Sequence, residues 1–506
     1  MSASELFASM ILDRSAGSAG SVGSNGSSRA APLFRQLYAA VKEAVLRGAL
    51  TPGMQLPPTR ELCRLTGVSR QTVLNAWDQL TAEGYITGTV GKGTFIATAL
   101  PIVPASTAPR GLMRPLSARG QDYASAMKYV GFHEGPARAF RASMPALDLF
   151  PFDVWSRLEA RRWRRPDHHM GYGDPAGYAP LRELLCVYLR ASRGVNCTPG
   201  QVIITSGSQQ GLYLLSALLL DPGDKVWVES PGYQGASAPL FAMGAQVCTV
   251  PVDAQGMDVA YGVANYPDAK MVLTTPSHQL PLGVTMSLQR RLELLRWAGA
   301  NRAWVIEDDY DSEYRYTGPP LASLQSLDSA DVTVYVGTLS KVLFPGLRLG
   351  YIVAPPALAE PIVRAKAALD RHNAIVPQMV LADFMGEGHF ARHIKRTRDA
   401  YAERRAVLLR GIESGLAAEL QCGPSDAGLD LCVHFKRTLD QDRVAQMALA
   451  RGVEVRPLSY YVSRVATPEC AIAPGLLLGF SSITPAEITH GLEVLGKVLR
   501  RDILAP

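Results

Sequence analysis

The sequence predicts two folded units of different class joined by a long linker. The first is small and mainly helical with a β wing; the second is a large α/β domain ending in a smaller α+β lobe. Three observations predict this. Between Leu33 and Ile86, apolar residues recur at helical spacing, interrupted by Pro- and Gly-rich turns. From Pro145 onward, short apolar runs alternate with amphipathic stretches, the pattern of a sheet layered between helices. Between them, residues 99–144 are rich in Pro, Ala, Ser and Arg without sustained period, which reads as a linker.

At 506 residues the chain exceeds what one core serves. The expected divisions are a disordered tail over 1–31, the small unit over 32–98, the linker over 99–144, a large domain over 145–375 and a small lobe over 376–506. The tail has Asp13 and Arg14 followed by Gly/Ser-rich sequence from Ser15 to Ser28, which is not a secretory signal. No apolar run reaches the roughly 18 residues of a membrane span. Seven scattered cysteines, an odd number with no Cys-x-x-Cys, argue against a disulfide framework or zinc site and for a reducing cytoplasm. The net charge of +6 permits an anionic partner without demanding one.

In the small unit, Leu37, Val41 and Val45 mark a helix over Leu33–Leu46. A Pro/Gly turn follows, Leu50 to Pro57, and Thr59 is expected to cap a short helix over Arg60–Thr66. Gly67-Val68 makes a tight turn, and Ser69 caps the next helix, in which Val73, Trp77 and Leu80 share one face. Arg70, Gln71, Thr72 and Asn75 then point elsewhere, near the N-terminal end, where a recognition helix meets base edges in the major groove. Two short β-stretches, Tyr85–Thr87 and Thr94–Ala97, flank Gly91-Lys92-Gly93, a hairpin wing with a lysine suited to a phosphate or the minor groove. The unit is thus a winged helix-turn-helix, and double-stranded DNA is its expected partner. Its runs Leu56-Pro57-Pro58-Thr59-Arg60-Glu61-Leu62, Gly67-Val68-Ser69-Arg70-Gln71-Thr72-Val73 and Leu80-Thr81-Ala82-Glu83-Gly84-Tyr85-Ile86 resemble the winged-helix domain of the GntR superfamily of bacterial regulators. That resemblance implies Arg60, Ser69, Arg70, Gln71, Thr72 and Lys92 as DNA contacts.

In the large domain, strands are expected at Gln201–Thr205, Lys225–Glu229, Ala245–Val250, Lys270–Thr274, Ala303–Glu307, Val332–Val336 and Leu349–Val353. Several are apolar throughout, as strands buried on both faces should be. Helices are expected at Tyr178–Arg193, Ser208–Leu220 and Leu288–Gly299, and a long polar helix at His389–Leu408. The run Arg161-Arg162-Trp163-Arg164-Arg165 reads as the charged face of a helix rather than a nucleic-acid patch.

Lys341 follows one of these strands in Gly337-Thr338-Leu339-Ser340-Lys341, and Arg348 comes seven residues later. A strand-end lysine flanked by hydroxyls and followed by a fixed cation suits pyridoxal 5'-phosphate (PLP): the amine forms a Schiff base with the aldehyde, while hydroxyls and arginine hold the phosphate. Four further features converge there. In Glu307-Asp308-Asp309-Tyr310, Asp308 is placed under the pyridine nitrogen and Tyr310 beside the ring hydroxyl. In Thr205-Ser206-Gly207-Ser208-Gln209, Ser208 and Gln209 open a helix whose N-terminus can approach a phosphate. Tyr233, after Glu229-Ser230-Pro231-Gly232, is placed to stack on a flat ring. Tyr172, in the glycine-rich turn Gly171 to Gly177, is placed to reach a phosphate, across a dimer interface if the chain pairs.

These motifs, over roughly residues 145–506, resemble fold-type-I PLP-dependent aminotransferases, and the order winged helix, linker, aminotransferase-like domain resembles the MocR subgroup of the GntR family. The resemblance implies that Lys341 carries PLP, that Asp308 and Tyr310 hold its ring, that Tyr233 stacks on it, and that Ser208, Thr338, Ser340 and Arg348 hold its phosphate. It also implies a PLP-dependent transcriptional regulator, a head-to-tail homodimer, and an amino-acid or amine effector. Two positions depart from the enzymes. The strand Leu476-Leu477-Leu478-Gly479-Phe480 has Leu477 where a carboxylate-clamping arginine usually sits. Leu280 stands where many enzymes have asparagine, leaving His278 or Gln279 as possible substitutes. The alternative to a regulator is a working aminotransferase with an accessory DNA-binding domain; these departures weigh against it.

Overall fold

The computed structural model describes residues 3–8, 31–89, 91–100, 115–127, 138–318 and 321–501. The chain divides into two compact units, Met1–Arg114 and Pro115–Pro506.

The first unit begins with α1 (Ala3–Ala8), α2 (Leu33–Leu46), α3 (Thr59–Thr66) and α4 (Arg70–Ala82), and closes with the antiparallel hairpin β1 (Ile86–Thr89) and β2 (Gly93–Ile96). Its core gathers Leu37, Val41, Leu62, Val73, Trp77, Leu80, Ile86 and Ile96. The tail expected to be disordered contains α1: Phe7 is fully buried, its ring 6.2 Å from that of Trp77, and Ser4 hydrogen-bonds Glu61. Burial of one aromatic ring and a side-chain hydrogen bond order this end; residues 9–30 of the expected tail lie outside the described residues. The expected cap at Thr59 also shifts by one. Pro58 is the N-cap, its carbonyl accepting from Glu61 and Leu62, and Thr59 is the first helical residue. A tripod of Tyr38, Lys42 and Glu83 ties α2 to the end of α4, with Lys42 Nζ 3.0 Å from Glu83 and 4.9 Å from the Tyr85 ring centre.

The second unit contains, in order, α5 (Ala118–Ala124), α6 (Phe152–Arg164), α7 (Ala179–Arg193), β3 (Val202–Thr205), α8 (Ser208–Leu219), β4 (Lys225–Ser230), α9 (Gln234–Met243), β5 (Gln246–Asp253), β6 (Gly256–Met257), α10 (Val259–Asn265), β7 (Met271–Thr274), α11 (Leu288–Asn301), β8 (Trp304–Asp309), β9 (Thr333–Thr338) and β10 (Gly350–Val353). These strands form an eight-stranded sheet in the order β3-β10-β9-β8-β7-β4-β5-β6. Pairing is parallel from β9 through β5, whereas β10 runs antiparallel to both β3 and β9. Since β10 opposes both neighbours, the carboxyl ends of β3, β4, β7, β8 and β9 share one edge, where ligands of such sheets bind.

The chain then forms α12 (Pro356–Leu369), α13 (Ile375–Gly386), α14 (His389–Gly415), β11 (Leu420–Cys422), β12 (Asp430–Phe435), α15 (Gln441–Ala450), β13 (Arg456–Pro457), β14 (Gly475–Gly479) and α16 (Pro485–Arg501). The last four strands make a second sheet ordered β11-β12-β14-β13, which buries Val433, Leu476 and Leu478 against Leu408, Ile412 and Leu495. The long helix α14 runs seven residues past its expected end at Leu408, as Ile412 continues its buried face. Arg161 and Arg162 of α6 pair with Asp383 and Glu387, so that run is a charged helix face.

The expected linker is not all linker. Residues 101–114 and 128–137 of it lie outside the described residues. However, α5 packs on α9, Asp122 and Ser125 bond Arg464, Phe140 is fully buried against Gly479 and Gly491, and Arg141 pairs with Glu454 at 2.8 Å. One buried aromatic and a few side-chain bonds suffice to dock such a stretch, and none of them has a periodic signature. Among the described residues, no helix is long and apolar enough to cross a membrane.

Candidate cofactor site and DNA-binding face

Strand register assembles one end of the cleft, the end where the sequence reading expects a phosphate. Gly350 of β10 is the pairing partner of both Thr205 and Thr338. That single residue therefore brings together the turn after β3, the hydroxyl-rich loop after β9 and the segment leading into β10. Arg348, in the left-handed region at φ 51°, donates from Nη2 to the Ser206 carbonyl at 2.9 Å. Gly207 has φ 94°, and a Cβ there would stand 3.2 Å from Arg348 Nη2; only glycine leaves the guanidinium over the loop. Ser208 opens α8 behind that glycine. Thr338 is buried and its hydroxyl accepts from the Ser340 N–H. A buried relay backs the loop: Lys366 pairs with Asp370, Asp370 accepts from Gln210, and Asn373 donates to the Ser206 hydroxyl.

Alternation along β8 sorts three successive carboxylates. Glu307 turns to the backbone N–H groups of Leu324 and Gln325. Asp309 turns to Arg193 at 2.7 Å and to the Tyr335 hydroxyl at 2.6 Å. Asp308 turns the other way, and its Oδ1 is buried without a hydrogen-bond partner among the described residues. Burial, with Asp309, Glu229 and Asp311 nearby, pushes its pKa up to about 7, against the pull of Lys341. It lines a cavity with Tyr233, Glu229, Thr274 and Thr275. An orphaned carboxylate oxygen at the base of a cavity walled by an aromatic ring fits the protonated nitrogen of a pyridine.

Lys341 is half-buried, and its Nζ donates to the Ser143 carbonyl at 2.7 Å. Burial lowers its pKa below the ordinary lysine value; Asp430 and Asp311 oppose the shift and Arg456 adds to it. A lysine with a depressed pKa offers more neutral amine at physiological pH, the form that attacks a carbonyl. Asp430 receives the Ser143 N–H and hydroxyl, so the former linker segment forms part of the cleft wall.

Tyr310 hydrogen-bonds His278 Nδ1 at 3.0 Å, and the same nitrogen lies 3.0 Å from both oxygens of buried Asp311. Burial pulls the imidazole's pKa down, but Asp311 and the more distant Asp430 and Asp309 outweigh it, and the net shift is upward. His278 thus reaches Tyr310, while Gln279 is spent on the Pro231 and Leu280 carbonyls and Glu229. Tyr233 is 37% exposed, and its hydroxyl donates to Gln209, whose amide in turn donates to Gly235. Gln209 therefore holds the aromatic wall. Tyr172 is 85% exposed beside Arg371 and His372.

Sequence reasoning missed Ser143, Asp311, Asp430 and Arg456. No local motif marks them; only the pairing of distant segments puts them at the cleft. Asp311 was within reach, two residues beyond the acidic run singled out.

On the first unit, Ser69 caps α4 by accepting from the Thr72 N–H at 3.1 Å and also bonds the Thr72 hydroxyl. Gln71 is bonded to Asn75 on the exposed face. Arg60, Arg70 and Lys92 are exposed, and none is in an ion pair among the described residues. The Gln55 amide holds the Lys92 carbonyl at 2.8 Å, fixing the wing tip.

Residues 33–96 match the bacterial regulatory proteins of the gntR family, and residues 149–495 match aminotransferase class I and II. The probable rhizopine catabolism regulatory protein MocR of Rhizobium meliloti is 37% identical over 92% of this chain and 93% of its own. The HTH-type transcriptional regulator TauR of Rhodobacter capsulatus is 32% identical over 92% of this chain and 96% of its own. The solved structure of Pyrococcus horikoshii kynurenine aminotransferase, in complex with PMP, matches 73% of this chain and 92% of its own with a TM-score of 0.66 at 27% identity. Two family matches on one chain, shared end to end with whole regulators, settle its kinship: it belongs to the MocR subgroup of the GntR family of transcriptional regulators.

Proposed function

We propose that the chain is a PLP-dependent transcriptional regulator whose aminotransferase-like unit senses PLP, an amine, or both, and whose winged helix reads a duplex operator. The observation that carries this reading is the orphaned Asp308 oxygen in the same cleft as Lys341, whose pKa burial lowers. When bound, PLP supplies an aldehyde that condenses with a primary amine, of Lys341 or of an effector, with loss of water. Lys341 would be the attachment point, Asp308 would keep the pyridine nitrogen protonated, and Tyr310, backed by His278 and Asp311, would hydrogen-bond the ring oxygen. Tyr233 would stack on the ring, held by Gln209. Ser208, Thr338, Ser340 and Arg348 would hold the phosphate. On the DNA arm, Arg60, Ser69, Arg70, Gln71 and Thr72 meet the major groove and its phosphates, and Lys92 meets the backbone from the wing. An effector that favours one arrangement of the α/β unit shifts DNA affinity by that difference in binding free energy.

We further infer a cytoplasmic homodimer. Its support is the exposed Tyr172 ring beside Arg371 and His372, one residue from the Asn373 that holds the phosphate loop. Light scattering of the PLP-loaded protein gives the mass directly.

The decisive test is borohydride reduction of PLP-saturated protein followed by peptide mass spectrometry, alongside a gel shift on the DNA upstream of the gene. A pyridoxyl adduct on Lys341, lost in Lys341→Ala, and a shift altered by PLP support the regulator. Adduct absence overturns it. Sustained turnover of an amine donor with a keto-acid acceptor would instead favour the enzyme reading, against which Leu280 and Leu477 weigh.

A further inference from the structure

One nitrogen at the cleft is approached by three oxygens. His278 Nδ1 lies 3.0 Å from the Tyr310 hydroxyl and 3.0 Å from each oxygen of Asp311. The imidazole and the carboxylate are both buried, whereas Tyr310 is half-buried. The ring is closely confined. A Cβ at Gly428, where φ is 88°, would stand 2.0 Å from its Cε1, so the loop leading into β12 covers the ring only because that position is glycine. The loop is itself pinned: the Gly428 N–H donates to the Tyr314 carbonyl, and the Tyr316 hydroxyl donates to the Gly428 carbonyl.

The carboxylate decides where the proton sits. An unprotonated Nδ1 would aim its lone pair at those of Asp311, so the nitrogen that faces the carboxylate carries the hydrogen. This holds for the neutral ring and for the imidazolium that the upward pKa shift favours. An Nδ1–H can only donate, to Asp311 and to the Tyr310 oxygen. Tyr310 then cannot give its own proton to the imidazole, and its hydroxyl has no other partner among the described residues. The neighbouring positions offer no substitute donor. Gln279 is engaged by the Pro231 and Leu280 carbonyls and by Glu229, and Leu280 is hydrocarbon.

We propose that His278 is a positioning residue. Asp311 fixes its imidazole with the proton on Nδ1, that N–H donates to the Tyr310 oxygen, and the Tyr310 hydroxyl proton is thereby left for the ionised ring oxygen of the cofactor. The Asp311–His278 pair acts on the cofactor only through Tyr310, by deciding which way one hydroxyl points. This deepens the cofactor reading and rests on it.

The test follows the absorbance of bound cofactor as full-length protein is titrated with PLP or with its 3-O-methyl ether, whose ring oxygen bears no charge. Asp311→Asn keeps the side-chain shape but no longer compels the Nδ1 proton. It should weaken PLP about tenfold, as for the loss of one hydrogen bond to a charged group. It should also move part of the absorbance to the shorter wavelength of an un-ionised ring oxygen, and leave affinity for the ether nearly unchanged. His278→Ala should act in the same way, and His278→Gln, whose amide can donate to Tyr310, should recover part of the loss. In a Tyr310→Phe background none of these changes should matter further. Equal losses for PLP and the ether would mean that the pair only supports the fold, and they overturn the proposal. So do losses that add to that of Tyr310→Phe, and an Asp311→Asn protein that binds PLP as wild type does. If His278→Ala does not fold, Asp311→Asn and His278→Gln decide the matter. Failure of the underlying cofactor reading is distinct: wild type would then show no bound-cofactor band that depends on Lys341.

Discussion

The two functional surfaces of this chain hold their charges in opposite ways. On the winged helix, Arg60, Arg70 and Lys92 stand in solvent without ion pairs among the described residues, and the core beneath them, from Leu37 to Ile96, is built without them. In the cleft of the α/β unit, Asp308, Lys341 and Asp430 are shifted by burial and by neighbouring charges, and one Asp308 oxygen has no hydrogen-bond partner among the described residues. An exposed charge costs the fold little and gains only when its partner arrives. A buried, unmatched charge costs stability until the ligand supplies the missing group. Cofactor binding should therefore relieve a penalty built into the native state, whereas the DNA-facing cations should leave the stability of the free fold unchanged.

The largest expected effect tests that penalty. Asp308 and Glu307 both titrate near 7 in the folded chain, well above their ordinary range, because burial disfavours their charged forms. The folded cofactor-free protein thus keeps protons that the unfolded chain releases between pH ~4 and ~7, and its stability should fall as pH rises through that window. For Asp308 alone the loss is up to ~4 kcal/mol. Asp308→Asn should remove that share, so the cofactor-free variant should be more stable than wild type at pH 8 and little different at pH 4, as read by urea unfolding. The same variant should bind PLP roughly 10- to 100-fold more weakly, since a hydrogen bond to a charged group is worth about 1.5–3 kcal/mol. Unchanged stability at pH 8 would erase the contrast.

Next in size is Phe7→Ala. Phe7 is fully buried against Trp77, and emptying such a site costs about 3 kcal/mol. Thermal unfolding should show the loss in the winged-helix transition and leave the α/β transition in place. Arg70→Ala should cost about 1–3 kcal/mol of operator affinity and relax sequence preference, with no change in melting temperature. Smallest is Lys92→Ala, which should weaken all DNA sequences alike and lower the salt-dependence slope by about 1. A fall in thermal stability from either surface variant would blur the distinction between the two regions.

Much of this was legible in the sequence because the decisive groups sit next to regular elements. The run Val332–Val336 places Lys341, and β9 does occupy Thr333–Thr338. Ser69, Val73, Trp77 and Leu80 place α4, and the cap and the buried face are as the spacing requires. Legibility ended where contact replaces period. Ser143 meets Lys341 across 198 positions. Arg456 lies on a two-residue strand, too short for alternation to register. Helix α13 is apolar on nearly every side, so no helical stripe betrays it. The short α1 precedes a Gly/Ser-rich run whose composition suggests an unfolded tail, and one buried aromatic residue is enough to fold its first turns.

The insertion of β10 between β3 and β9 has an evolutionary corollary. The cofactor seat is stitched together by main-chain pairing that any sequence of suitable shape can preserve, whereas the opposite rim is painted in side chains on a separate small sheet. Drift on that rim can rewrite which metabolite is heard while the seat stays whole, so descendants of one ancestral receptor can diverge in taste without first losing their prosthetic group.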